Sequence, residues 1–170
     1  MKTQEKETVA ARSYLTFTLG EEEYGAHVNN VLNIIEASRI TSVPHSPSYM
    51  EGVINLRGTV LPVIDLKKKF SMPDRAAQGK ATIVVLEVNS RGNKLDEIFY
   101  VGAIVDQVVA VHEIEDSLIQ EPPRVGNRYQ SQFIQGMVEM DERFIMLLDV
   151  EKLFNEEEKV YLQDSSRQPE

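Results

Sequence analysis

The sequence predicts an all-β protein folded as two small antiparallel barrels with short helices. Three observations carry that prediction: an internal repeat, short β-branched and aromatic runs separated by turn residues, and no long stretch of helical periodicity in either repeat. A chain of 170 residues holds one ordinary domain or two small ones, and at that size folding buries about 70% of the unfolded surface. With no Cys, the fold has no disulfide framework and no thiolate metal cage.

The repeat is read from two blocks. Gly25–Val31 (GAHVNNV) matches Gly102–Val108 (GAIVDQV) at an offset of 77, and Gly52–Phe70 matches Gly136–Phe154 at an offset of 84 without a gap. Four of the 19 pairs in the longer block are identical and eight more are apolar with apolar, which is too many for a chance alignment of polar turns and strands. The change in offset falls in the loop between the blocks, which in the second copy is the long polar stretch around 121–132. The expected organisation is a flexible segment 1–13, a first barrel 14–70, a connection 71–80 (SMPDRAAQGK), a second barrel 81–154, and a C-terminal helix and tail 155–170.

Each copy opens with a hairpin. Tyr14–Leu19 turns through Gly20–Glu23 into Tyr24-Gly25-Ala26, and Thr82–Val88 turns through 89–97 into Ile98–Val101. Val28, Val31, Leu32 and Ile35 then share one helical face and predict a turn or two of helix. A second hairpin closes each copy, with turns at Arg57-Gly58 and at Asp141-Glu142. Asp65 and Asp149 follow the last strands, ahead of LKKKF and VEKLF, as helix N-caps. Val150, Leu153, Phe154 and Tyr161 predict an amphipathic helix, and the polar tail 164–170 frays.

The charge narrows the partners. Residues 1–75 carry nine basic and nine acidic side chains, so the whole net charge of −9 lies in the second half. That balance repels phosphate backbones and anionic membrane surfaces, and Lys67-Lys68-Lys69 is the only basic cluster. Neither a secretory apolar stretch nor a run long enough to cross a bilayer occurs, so a soluble cytoplasmic protein is expected.

Catalytic readings are weak. One Asp per half suggests paired carboxylates of the aspartic-protease kind, using Asp65 and Asp149, but that chemistry needs a tight glycine turn after each Asp. Here Leu66-Lys67 and Val150-Glu151 follow, which suits caps instead. His27, His45 and His112 lie on different elements and beside no nucleophile motif, and His27 is expected half-buried on a barrel wall. The turn Asn55-Leu56-Arg57-Gly58 stands out, because its counterpart is Glu139-Met140-Asp141-Glu142. Divergence at one hairpin tip points to a contact: Arg offers a planar fork of donors for a carboxylate or carbonyl. The alternative is a solvated turn residue with an internal partner.

Tyr14–Gly25 (YLTFTLGEEEYG), Gly52–Leu66 (GVINLRGTVLPVIDL), Gly102–Val108 and Ile134–Phe154 (IQGMVEMDERFIMLLDVEKLF) together resemble the chemotaxis coupling protein family CheW, over nearly the whole chain. The resemblance implies two five-stranded barrels of the Src-homology type, with exchange of terminal strands allowed. It implies a non-enzymatic adaptor, with no cofactor, that joins the histidine kinase CheA, through the kinase's CheW-like regulatory domain, to the cytoplasmic tips of chemoreceptors, with self-association in array rings. By the same resemblance Arg57, Asn55, Leu56, Gly102 and Val108 belong to the receptor-binding surface, and Val31, Asn33 and Gly52 to the kinase-binding surface. Val31 and Val108 are equally expected in the core, since they match in the repeat. An apolar strip beside Arg57, from residues such as Val28, Leu32 or Leu56, is expected to dock a receptor helix. Two departures mark this chain: His27 stands where the family has an acidic residue, and Asn33 stands where it has Glu. The 89–97 loop is also unusually long.

Overall fold

In the computed structural model, which describes residues 10–37, 39–73, 81–89, 98–122 and 132–165, ten strands form two five-stranded sheets. The strands are β1 (Ala11–Leu19), β2 (Glu22–His27), β3 (Val31–Ala37), β4 (Met50–Leu56), β5 (Thr59–Asp65), β6 (Ala81–Asn89), β7 (Ile98–Val105), β8 (Gln107–Glu115), β9 (Ile134–Met140) and β10 (Arg143–Leu148). Helix α1 (Leu66–Lys69) follows β5, and α2 (Glu156–Ser165) closes the described chain. Sheet one has the order β8-β1-β2-β10-β9 and sheet two the order β3-β6-β7-β5-β4. The initial segment, most of the 71–80 connection, the 89–97 loop, the polar stretch around 121–132 and the end of the tail lie wholly or largely outside the described residues.

The expected closed antiparallel barrels are not formed. Both sheets are open and mixed: β5 runs parallel to β7, and β10 parallel to β2. On the outer edges of β4 and β9 one residue each is bridged to the chain leading into the strand. Thr41 exchanges two backbone hydrogen bonds with Val53, and Gln120 does the same with Met137, at 2.7–2.9 Å. Each bridge occupies one residue of its edge strand, and among the described residues no ladder joins β3 to β4 or β8 to β9, so the sheets stay open.

The topology carries the repeat. Replacing each strand of sheet one by its counterpart in the other copy reproduces the order of sheet two, and each sheet joins one copy's first hairpin to three strands of the other. The parallel registers obey the same rule: Val63 faces Gly102, and Leu147 faces Gly25, as offsets of 84 and 77 require. A large core lies between the sheets, from Leu15, Phe17 and Tyr24 on one side to Leu86, Phe99 and Val101 on the other. Each sheet also lines a smaller cluster with its opposite face, around Leu147 in sheet one and Val63 in sheet two. Central strands buried on both faces explain the unbroken apolar run Ile83–Leu86.

Two local expectations are corrected. Val28–Asn30 is a single 3-10 turn and Val31–Ala37 is strand β3, because β-branched residues there gain a full ladder against β6. The helix expected directly after Asp149 is a 3-10 turn over Val150–Lys152, and α2 starts only at Glu156.

Candidate protein-interaction site

The tip of the β4–β5 hairpin is built around two left-handed residues, Arg57 (φ 54°) and Gly58 (φ 85°). Such a two-residue turn follows the strand twist, and the Asn55 side chain accepts a hydrogen bond from the Gly58 N–H at 2.8 Å, locking it. Glycine adopts this conformation freely, whereas Arg57 does so at a cost of about 1–2 kcal/mol. Arg57 is exposed and has no hydrogen-bond or ion-pair partner among the described residues. The counterpart turn has the same left-handed pair, Asp141 (φ 53°) and Glu142 (φ 65°), so the backbone geometry belongs to the repeat and the outward guanidinium is what distinguishes this tip.

The surroundings mix apolar and charged side chains. A groove of about 510 Å³ runs between the unpaired edges of sheet two, lined by Ile35 and Glu36 of β3, Ile54, Asn55 and Leu56 of β4, and Arg39 and Thr41 of the connection. Extending the parallel register back from Val63 and Gly102 sets Tyr100 level with Leu61, and Ile98 level with Thr59, at the same end as the Arg57 turn. Ile98 and Tyr100 are exposed. Sequence reasoning missed both. The signal was present in the repeat, since at an offset of 77 they face Glu21 and Glu23. In sheet one, Glu23 is buried and bound by Arg143 at 3.1 Å, so that end is closed by an ion pair where sheet two is open and apolar.

The sequence-predicted residues separate into four sets. Asn55, Leu56 and Arg57 lie together at the hairpin tip, and Asn33 is exposed on β3 with its side chain accepting from the Ile34 N–H. Val31 and Val108 are half-buried against the shared core at matching repeat positions. Gly52 and Gly102 are buried: a Cβ at Gly52 (φ 146°) would overlap the Thr41 carbonyl, and one at Gly102 would come within 2.8 Å of Ile83 Cγ2. Leu32 is exposed on β3, at the other end of the strand order of sheet two from the β4 that carries Leu56.

The remaining candidates serve the fold. Asp65 ends β5 and its carboxylate accepts from the Lys67 and Lys68 N–H groups at 2.9 and 3.4 Å. Burial pushes its carboxyl above the usual value, against the pull of those two amides. Asp149 makes no side-chain cap bond, so its expected cap is corrected. The Asp65 carboxylate is engaged by the Lys67 and Lys68 amides, and Asp149 is not among the charges that act on it, so nothing supports a shared-proton pair. His27 Nδ1 accepts from the Asn29 N–H at 3.0 Å, while its ring meets Tyr14 edge-on. Burial holds this imidazole below its usual range, helped by the Arg12 charge and opposed by Asp116. His45 is exposed in the loop before β4, and His112 lies on β8.

Residues 13–158 match the CheW-like domain family. The chain is 35% identical to the probable chemotaxis protein CheW of Rhizobium etli, over 86% of this chain and 90% of that one. It is 32% identical to the chemotaxis protein CheW of Klebsiella aerogenes, over 89% and 86% of the two chains. Among solved structures it resembles the scaffolding protein TtCheW of Thermoanaerobacter tengcongensis, with a TM-score of 0.73 and 32% identity over 86% of this chain and 94% of that one. Among the described residues no helix is long and apolar enough to cross a membrane. The chain belongs to the CheW family and is a non-enzymatic chemotaxis adaptor that couples CheA-type kinases to chemoreceptors, not an aspartyl hydrolase.

Proposed function

We propose that the Arg57 end of sheet two is the surface that grips the chemoreceptor, and that β3 with Val31, Asn33 and the Gly52-supported strand faces the regulatory domain of the kinase. The observation that carries the receptor assignment is Arg57, exposed and without a hydrogen-bond or ion-pair partner among the described residues, at the same end of the sheet as the exposed Ile98 and Tyr100. A receptor tip presents helices, and an amphipathic helix with an acidic residue fits a groove whose apolar side chains Ile35, Ile54 and Leu56 lie among polar ones, with the Arg57 guanidinium at the neighbouring hairpin tip. Gly102 acts from within, where only a residue without a side chain fits against Ile83 and Leu61, and Val108 packs from β8 of sheet one against the shared core. Exposed Leu32 and Ile34 support a protein contact on β3. The adaptor works at the cytoplasmic face of the membrane, recruited to receptor arrays, where it also associates with itself in rings.

The test is Arg57→Asp, measured against a receptor cytoplasmic fragment and against the kinase regulatory domain. Receptor binding weakens by about 1–3 kcal/mol, the cost of losing a charge-assisted hydrogen bond, while kinase binding and thermal stability are kept. Equal receptor affinity for variant and parent would remove Arg57 from the site.

A further inference from the structure

The end of the first strand in each copy is held by a nearly buried lysine and a carboxylate, but the two clamps draw on different elements. In sheet one, Asp106 accepts the Gly20 N–H at 2.7 Å and pairs with Lys67 at 2.8 Å. The hairpin registers, Thr16 with Gly25 and Val85 with Gly102, make Asn89 the repeat partner of Gly20. At Asn89 the Glu151 carboxylate accepts the N–H at 3.1 and 3.2 Å. Lys159 donates to the Asn89 carbonyl at 3.1 Å and lies 3.8 Å from Glu151. Lys159 sits on α2, beyond the end of the repeat, and its side chain is only 6% exposed.

A second tie holds the same helix. Lys69, whose repeat partner is the buried Leu153, is placed over the Tyr49 ring at 4.4 Å and paired with Glu158 of α2 at 2.7 Å. Helix α2 therefore completes two charged sites that the repeated part leaves open.

We propose that α2 positions the receptor-facing end of sheet two, with Lys159 as the positioning residue and Asn89 as its point of attachment. This rests on the receptor surface assigned above. Asn89 pairs with Ile98, and β7 beside β5 puts that pair at the Arg57 end of the sheet. An apolar side chain at 159 would fill the space equally well. Only a donor with charge both binds the Asn89 carbonyl and holds Glu151 against the Asn89 amide.

The experiment uses the full chain with Lys159→Met, Lys159→Arg and Glu151→Gln, and Arg57→Asp in parallel. Each is titrated with a soluble chemoreceptor tip fragment and with the kinase regulatory domain, and Asn89 amide exchange is followed. Lys159→Met is expected to weaken receptor binding about tenfold, keep kinase binding within about twofold and speed exchange at Asn89. Lys159→Arg restores receptor binding and Glu151→Gln reproduces the loss, so the outcome stands even if Lys159→Met fails to fold. Unchanged receptor affinity in folded Lys159→Met or Glu151→Gln, or equal loss toward both partners, overturns the proposal. Unchanged receptor affinity in Arg57→Asp overturns the surface on which it rests.

Discussion

Asp65 and Asp149 occupy the same place in the two copies, yet only one is expected to matter for stability. Asp65→Ala removes the acceptor of the Lys67 N–H at 2.9 Å in a buried setting, and that of the Lys68 N–H at a longer 3.4 Å. Loss of an N-cap costs about 1 kcal/mol, within a range of roughly 0.5–2, and leaving a buried amide unsatisfied adds to it. Relief of the carboxylate's own burial, which raises its pKa, subtracts. The net expectation is about 1 kcal/mol, or about 2–4 °C in melting temperature for a chain of this size. Asp149 makes no cap bond, so Asp149→Ala should stay within about 0.5 kcal/mol.

The raised carboxyl sets a sign. Asp65 binds its proton more tightly folded than unfolded, so its contribution to stability is largest below the ordinary value of 3.8 and declines as pH rises through the folded value. Asp65→Asn keeps an acceptor without the buried charge and should therefore cost less than Asp65→Ala at neutral pH. Urea unfolding of all three variants, with unchanged m-values, measures this directly. Equal losses at 65 and 149, or Asn costing more than Ala, would refute the capping assignment.

Gly52→Ala should lose at least about 3 kcal/mol, because the new Cβ overlaps the Thr41 carbonyl at a φ of 146° and breaks the bridge to Val53; a melting scan decides it. Glu158→Gln should cost about 2 kcal/mol at neutral pH, leaving the Lys69 charge among aromatic rings. Burial raises the Glu158 carboxyl, but Lys69 and the Asn155 amide outweigh it and hold it below its usual 4.5. Its stabilisation is thus present above pH 4.5 and lost as pH falls through the folded value, and Glu158→Gln should lack that loss in acid unfolding curves. Tyr100→Glu installs the type of residue its repeat partner Glu23 carries. At an exposed position it should leave stability within about 0.5 kcal/mol while lowering receptor affinity in a binding titration.

Some of this was legible in the residues because it is local. Alternating β-branched runs and left-handed turn residues set the hairpins, and the 84-residue offset from Gly52 to Phe70 carried the duplication. Divergence at 55–58 marked the hairpin tip for the same reason: a turn is decided by four neighbouring side chains. Val28 to Ile35 misled because a short apolar run satisfies helical and strand spacing alike, and the ladder against β6 settles the matter.

What the sequence by itself determined is the pair of hairpins in each copy, the repeat that relates them and the family. Only the tertiary structure decided which strands share a sheet, that the sheets stay open, and that Asp65 caps while Asp149 does not. The reason is physical. Edge hydrogen bonds go to whichever backbone reaches them, and Thr41 and Gln120 reach β4 and β9 from the irregular segments that lead into those strands, whose path local spacing does not set. In the same way, α2 reaches back from residues 156–165 to neutralise lysines and carboxylates that local spacing cannot pair.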